Sequence, residues 1–222
     1  MKKYLPFIIG GAVLVIGLIV FVLIKSSTGN APVATPEAPV PDLPQSEWPV
    51  VSLTPTSNPQ VPNSLGHWLD FKVQKINVPG AASMDYELIY NTTDGGQQGV
   101  PGTVKLDGND VDRPLLLGSE SSGKFRYDAG VETGMMTIRF RDGSGKLIGK
   151  LSTSFHLQSN TVDLSSTDNN FKYTLAKLAK GVYFVTMMTF KDPDASMVVF
   201  TQNGYSIFAS DGKPHTGKVV TQ

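Results

Sequence analysis

The chain has 222 residues, 40% hydrophobic and 17% charged, with 19 Lys+Arg against 19 Asp+Glu. A formal net charge of zero gives no basic patch or stripe of the kind that binds nucleic acid, so no nucleic-acid partner is expected. Cysteine is absent, which excludes disulfides, thiolate metal sites, a Cys nucleophile and the lipid-bearing Cys of a bacterial lipoprotein.

Residues 1–4 carry Lys2 and Lys3 and precede an apolar run, Leu5 to Ile24, that holds no charge. A helix over residues 5–24 rises about 1.5 Å per residue and reaches about 30 Å, the hydrocarbon thickness of a bilayer. Pro6 falls in the first turn, where a missing N–H costs nothing. A secretory signal has a shorter apolar region, about 7–15 residues, and a small-x-small cleavage site. Here Pro32 follows the nearest such site, Gly29-Asn30-Ala31. The expectation is therefore a retained single-pass anchor, with a cleaved signal as the alternative. After Lys25 no Lys or Arg appears until Lys72, whereas Glu37, Asp42 and Glu47 do. Positive charge stays in the cytoplasm, so the rest of the chain is expected outside the cell membrane. No early glutamate of the type IV pilin kind and no G-x-x-x-G motif is present in the run, so it reads as a tether.

Residues 25–65 hold nine of the fifteen prolines. Proline fixes φ and removes a donor, and this composition predicts a disordered, extended spacer. "PEAP" and "PDLP" fit the P-x-x-P pattern of peptide ligands, a reading left beside the spacer. "SEWPVVSL", Ser46 to Leu53, is an apolar island expected to dock on the folded part.

From residue 66 to 222 short runs alternate. Leu69, Phe71 and Val73 oppose Trp68, Asp70, Lys72 and Gln74. Tyr86, Leu88 and Tyr90 share a face, as do Met136, Ile138 and Phe140. Period two predicts half-buried strands. "NTTDGGQQG", "KLDGNDVDRP" and "RDGSGKL" supply turns. "GVYFVTMMTF", Gly181 to Phe190, is apolar on both faces and predicts a central strand covered on both sides. Asn203-Gly204 between two β-rich runs predicts a tight hairpin, since both positions need φ > 0. "TLAKLAKG" is the one helical hint, at most two turns. The expected fold is all-β: an immunoglobulin-like β-sandwich of about ten or eleven strands, behind an N-terminal transmembrane helix and a Pro-rich linker. A barrel of the OB type is the runner-up. Phe125-Arg126-Tyr127 and Phe171-Lys172-Tyr173 both lead through a short loop to a glycine and a buried strand. That echo leaves open two sub-units split near residue 160.

Chemistry is sparse. "LGSESSGKFRYDAGVETG", Leu117 to Gly134, has the look of an active-site loop. Gly118-Ser119-Glu120-Ser121-Ser122-Gly123 misses G-x-S-x-G, however, and no strand–turn–helix context surrounds it. A hairpin corner is expected there. His67, His156 and His215 are scattered without the spacing of a zinc site. A Ser-His-Asp set recruits residues distant in sequence and is left open. Asp107, Asn109, Asp110 and Asp112 cluster hard oxygen ligands in "DGNDVD" and are the calcium candidate, although the EF-hand pattern is missed. "RDGSGK" lacks the first glycine of a phosphate loop. Asn91-Thr92-Thr93 fits a glycosylation sequon. No catalytic residue and no cofactor is assigned.

The anchor, the spacer, "ELIYNTTDGGQQGVPGTVKLDG", "LLLGSESSGKFRYD" and "TSFHLQSNTVDLSSTDNNFKYTL" together resemble the uncharacterised membrane-tethered β-sandwich proteins of the Candidate Phyla Radiation, bacteria with small genomes. In that resemblance the loop would read G-T-C-S-S-G-x-C. Glu120 and Phe125 stand at the two Cys places, so a disulfide staple is missing. The resemblance implies a tethered sandwich and no activity. The functional expectation is a surface-exposed, non-enzymatic interaction, adhesion or envelope structural module, held in the membrane by residues 5–24 and meeting a protein or cell-wall ligand. The alternatives are an envelope hydrolase and an accessory subunit of an envelope complex.

Overall fold

The structure, a computed structural model, describes residues 42–108, 110–196 and 198–220. The expected anchor and the part of the expected linker up to residue 41 lie outside them. Among the described residues no helix is long and apolar enough to cross a membrane.

Fifteen strands follow in chain order. They are β1 (Val50–Thr56), β2 (Trp68–Gln74), β3 (Ser83–Asn91), β4 (Gln97–Lys105), β5 (Val111–Leu116), β6 (Gly118–Ser121), β7 (Lys124–Tyr127), β8 (Thr133–Arg141), β9 (Leu147–Ser159), β10 (Asp163–Ser165), β11 (Lys172–Leu175), β12 (Tyr183–Met188), β13 (Phe200–Gln202), β14 (Tyr205–Ala209) and β15 (Gly217–Val219). The excess over the expected ten or eleven consists of three- and four-residue strands too short for a period to be read. The chain is all-β, with a seven-stranded sheet in the order β13-β14-β12-β9-β8-β3-β4. Two three-stranded sheets, β1-β2-β5 and β10-β11-β15, and the hairpin β6-β7 complete it. Every ladder between these strands is antiparallel.

Alternation decides what faces what. Leu69, Phe71 and Val73 of β2 meet Met84, Leu88 and Tyr90 of β3, Met136, Ile138 and Phe140 of β8, and Phe155 and Leu157 of β9 in the main core. A second core lies on the opposite face of the large sheet, built from Leu164, Phe171, Tyr173 and Leu175 against Phe184, Tyr205 and Ile207. Strand β12 serves both: Val185 and Met187 point into the main core and Phe184 into the second. Phe208 and Ile207 divide β14 in the same way. The double-sided run at Gly181 to Phe190 is thus a strand with a sheet over each face. Residues from Val40 onward form one compact unit, so the two cores share strands and do not split near residue 160.

Two expectations need correction. The linker does not extend to residue 65: Val50–Thr56 is a core strand paired along its whole length with β2, and Leu43 and Trp48 pack beside it. Pro55 is tolerated because β1 is an edge strand, where a missing N–H breaks no ladder bond. Prolines recur on two further edges, Pro114 of β5 and Pro101 of β4. The remaining edges are short: β10, β13 and β15 are three residues long, and β6 and β7 are four. Proline and short length both blunt edges against pairing with other chains. Finally, "TLAKLAKG" is no helix. Leu175 is a buried β11 residue, the Ala176 N–H bonds the Thr216 carbonyl, and Gly181 turns at φ +73°.

The Asn203-Gly204 turn joins β13 to β14 with φ of +52° and +78°, as the dipeptide requires. Thr186, fully buried on β12 between His156 and Ile207, is one place where polarity is unsatisfied: its hydroxyl has no hydrogen-bond partner. A buried hydroxyl without a partner costs about 1–3 kcal/mol. Thr186→Val keeps the shape and removes that cost. It is expected to raise stability by about 1 kcal/mol, a gain of about 2–4 °C in Tm for a domain of this size. A lower Tm in calorimetry would contradict the assignment of an idle hydroxyl.

Candidate functional site

The loop that looks like chemistry is a corner. Strands β6 and β7 pair from Gly118↔Tyr127 to Ser121↔Lys124, and the turn is Ser122 (φ +51°) and Gly123 (φ +77°). The Gly123 N–H donates to the Glu120 carboxylate at 2.5 Å. Glu120 therefore braces the turn, and among the described residues no histidine is hydrogen-bonded to Ser119, Ser121 or Ser122. Gly118 sits at φ +155°, and a Cβ there would lie 2.2 Å from the Arg126 carbonyl oxygen, so only glycine fits.

The hairpin stands between two cavities and lines the second of them. At its base the Tyr127 ring stacks on His67, centroids 4.3 Å apart and planes 7° off parallel. The Phe125 ring meets Trp68 edge to face at 5.7 Å. Beyond Tyr127 the chain passes Asp128, Gly130 and Glu132 before β8. These residues, together with Gly66, His67, the end of β9 from His156 to Ser159, and Tyr183, line a cavity of about 360 Å³. A second cavity of about 440 Å³ opens on the other side of Asp128 and is lined by Thr92, Asp94, Arg126 and Tyr127 among others. Volumes of this size suit a small molecule or one residue of a polymer.

Gly66 sets one wall. Its φ is +83°, and a Cβ there would lie 2.3 Å from the Tyr183 ring. The ring therefore rests on bare backbone, and both conformation and space demand glycine.

The cleft holds hydrogen-bonding capacity that the fold does not use. Asp128, which lines both cavities, accepts the Tyr90 hydroxyl on Oδ2 at 2.8 Å, and its Oδ1 has no hydrogen-bond partner among the described residues. Burial, reinforced by this carboxylate, pushes the Tyr90 hydroxyl up in pKa, so it stays a donor. Burial pushes the His67 imidazole below its usual range. It is neutral at pH 7, and its ring makes a stack but no hydrogen bond among the described residues. His156 Nδ1 lies 2.8 Å from the Ser165 carbonyl oxygen. A carbonyl only accepts, so Nδ1 carries a proton and donates it. The Ser165 hydroxyl is 3.4 Å from that same protonated nitrogen, which cannot take its proton. This is the nearest Ser–His approach among the described residues, and it is not a nucleophile–base pair. His215 pairs through Nε2 with Asp211 at 3.0 Å, away from the cleft.

The calcium candidates are drawn apart. Asp110 accepts from the Gln74 amide and the Lys75 N–H. Asp112 and Asp70 share the Lys72 ammonium, each at 3.1 Å. Asn109 lies outside the described residues, and Asp107 does not join a cluster: among the described residues no group of three His, Cys, Asp or Glu could hold a metal. Asn91, the sequon residue, is exposed at the end of β3 and donates to Thr133.

Of the residues singled out in the sequence, His67 and His156 come together in the cleft. Asp128, Glu132 and Tyr183 were not singled out. Asp128 and Glu132 fall at the end of the stretch Leu117 to Gly134 and Tyr183 in a covered strand, and the pairing of β8 and β12 with β9 brings them to one place. No protein-family model, curated protein or solved structure matches the chain.

Proposed function

We propose that the chain is a membrane-tethered binding module of the cell envelope: an immunoglobulin-like sandwich held outside the cytoplasmic membrane that recognises a protein or cell-wall ligand without transforming it. The observation that carries the reading is the cleft at Asp128. Residues from four stretches distant in sequence line it, with donors and acceptors that the fold leaves unspent. Unspent polar groups around a concave space are what ligand recognition needs. The sandwich reading is supported by facing antiparallel sheets with hairpin connections. The tether and its orientation are supported by the apolar run at 5–24 and the charge asymmetry around it.

The absence of cysteine makes the location simple to test. Lys177→Cys places a single thiol on the exposed connection after β11. In cells expressing the full chain, a membrane-impermeant maleimide added to spheroplasts should label it as completely as it does after lysis. Labelling only after lysis would put the domain in the cytoplasm and end this reading.

A further inference from the structure

Strands β6 and β7 pair with each other and with no other strand. A two-stranded hairpin standing alone is marginally stable in water, because it buries too little apolar surface. This one leans on the body of the domain through two rings. Tyr127 stacks on His67, and Phe125 lies edge to face against Trp68. Both hairpin rings stay half-buried, and the other residues from Ser119 to Arg126 are exposed. Polar groups also go without partners at this seam. Among the described residues four buried side-chain atoms lack a hydrogen bond, and two of them, Tyr127 Oη and Trp68 Nε1, belong to its rings. A buried donor without a partner costs free energy that contact with water returns.

The two ends of the hairpin are fixed. Leu117 is fully buried in the main core, and its N–H donates to the His67 carbonyl. Asp128 donates its N–H to the Leu117 carbonyl and accepts the Tyr90 hydroxyl. Just beyond Leu117 stands Gly118, whose missing side chain lets the backbone pass against the Arg126 carbonyl.

From this arrangement we infer that the β6–β7 hairpin is a flap, which opens as a local unit between the fixed points Leu117 and Asp128 while the larger sheets stay folded. Opening parts Tyr127 from His67 and Phe125 from Trp68. The Tyr127 hydroxyl then meets water, and faces of His67 and Trp68 are uncovered. The hairpin supplies Gly118, Ser119, Arg126 and Tyr127 to the wall of the second cavity, so opening also removes one side of that cavity. A local opening of this kind takes less free energy than global unfolding, and the two respond to different substitutions.

Amide hydrogen exchange of the full chain in an uncharged polyoxyethylene detergent, read by mass spectrometry under conditions where reclosing outpaces exchange, tests the flap. Amides of residues 119–127 should exchange together, about a hundredfold or more faster than those of β8 and β9. Phe155→Leu weakens the main core in the closed and the open flap states alike. It should speed β8 and β9 about tenfold or more and leave the hairpin rate as it was. Tyr127→Phe keeps the stack on His67 and removes the unpartnered hydroxyl, so it should slow hairpin exchange by up to about tenfold. Thr186→Val removes a hydroxyl of the same kind from the core, which opening does not expose, and should not slow the hairpin. Hairpin amides as protected as those of β8, a Phe155→Leu variant that speeds hairpin and β8 by the same factor, or a hairpin rate indifferent to Tyr127→Phe would each overturn the inference.

Discussion

Phe155→Ala should destabilise the domain by about 4 kcal/mol, within the usual range for emptying a buried aromatic site. Phe155 has no exposed surface and sits in the main core on β9, the strand that holds β8 on one side and β12 on the other. Its ring also abuts Gly134, where a Cβ would come within 2.5 Å of it. That contact comes from the backbone of β8, which cannot collapse into the void without breaking its ladder to β3 and β9. The cavity should therefore persist, and the loss should lie at the upper end for this kind of change. Phe155→Leu, which refills part of the space, should recover roughly half. Denaturant unfolding monitored by far-UV circular dichroism reads both. A loss under about 1 kcal/mol for Phe155→Ala would mean that β9 is not central to the fold.

The second large effect is expected at Asp168→Asn. Asp168 is the hub that fastens the β10–β11 hairpin to the large sheet. Its carboxylate accepts the Ser166 hydroxyl, the Asn170 N–H and side-chain amide, and the Tyr205 hydroxyl of β14 at 2.6 Å. Partial burial opposes its ionisation, but these bonds outweigh that and hold its pKa at about 2. A carboxyl with a depressed folded-state pKa contributes stability that is present above its unfolded value, near 3.8, and is lost as pH falls towards 2. The variant should therefore be less stable than the wild type by about 2 kcal/mol at pH 7, a figure discounted for solvent exposure. The gap should narrow between pH 4 and pH 2. A pH-independent gap would show that the carboxylate charge is not what holds the hairpin.

Much of the β-framework was legible because period two survives wherever one face is wet. Strands β2 and β8 bury the very positions that alternation selects, and β3 buries Leu88 and Tyr90 and half-buries Tyr86. The covered run at Tyr183–Met188 was legible because it is apolar on both faces. Strand β1 was not, since the prolines around it argue for a spacer and only its edge position makes Pro55 harmless. The apparent helix at "TLAKLAKG" misled because local propensity was overruled by the pairing of β11 with β10 and β15. The corner at Ser122-Gly123 could be anticipated from its flanking strands, though the brace from Glu120 could not. The cleft was the least legible feature. Its members come from positions 66–67, 128–132, 156–161 and 183, and no spacing links them. What joins them is a stack, a bare glycine under a tyrosine, and strand register.

The most direct test of the cleft as the recognition site compares the full-length wild type with the double variant His67→Phe, Asp128→Asn. Phenylalanine preserves the stack on Tyr127, and asparagine preserves an acceptor for Tyr90. Each protein, in uncharged detergent, is sedimented with purified envelope material from the same cells. The wild type should sediment with it, and the double variant should remain in solution while unfolding at the wild-type temperature. A double variant that sediments like the wild type, or a wild type that does not sediment at all, would contradict the account.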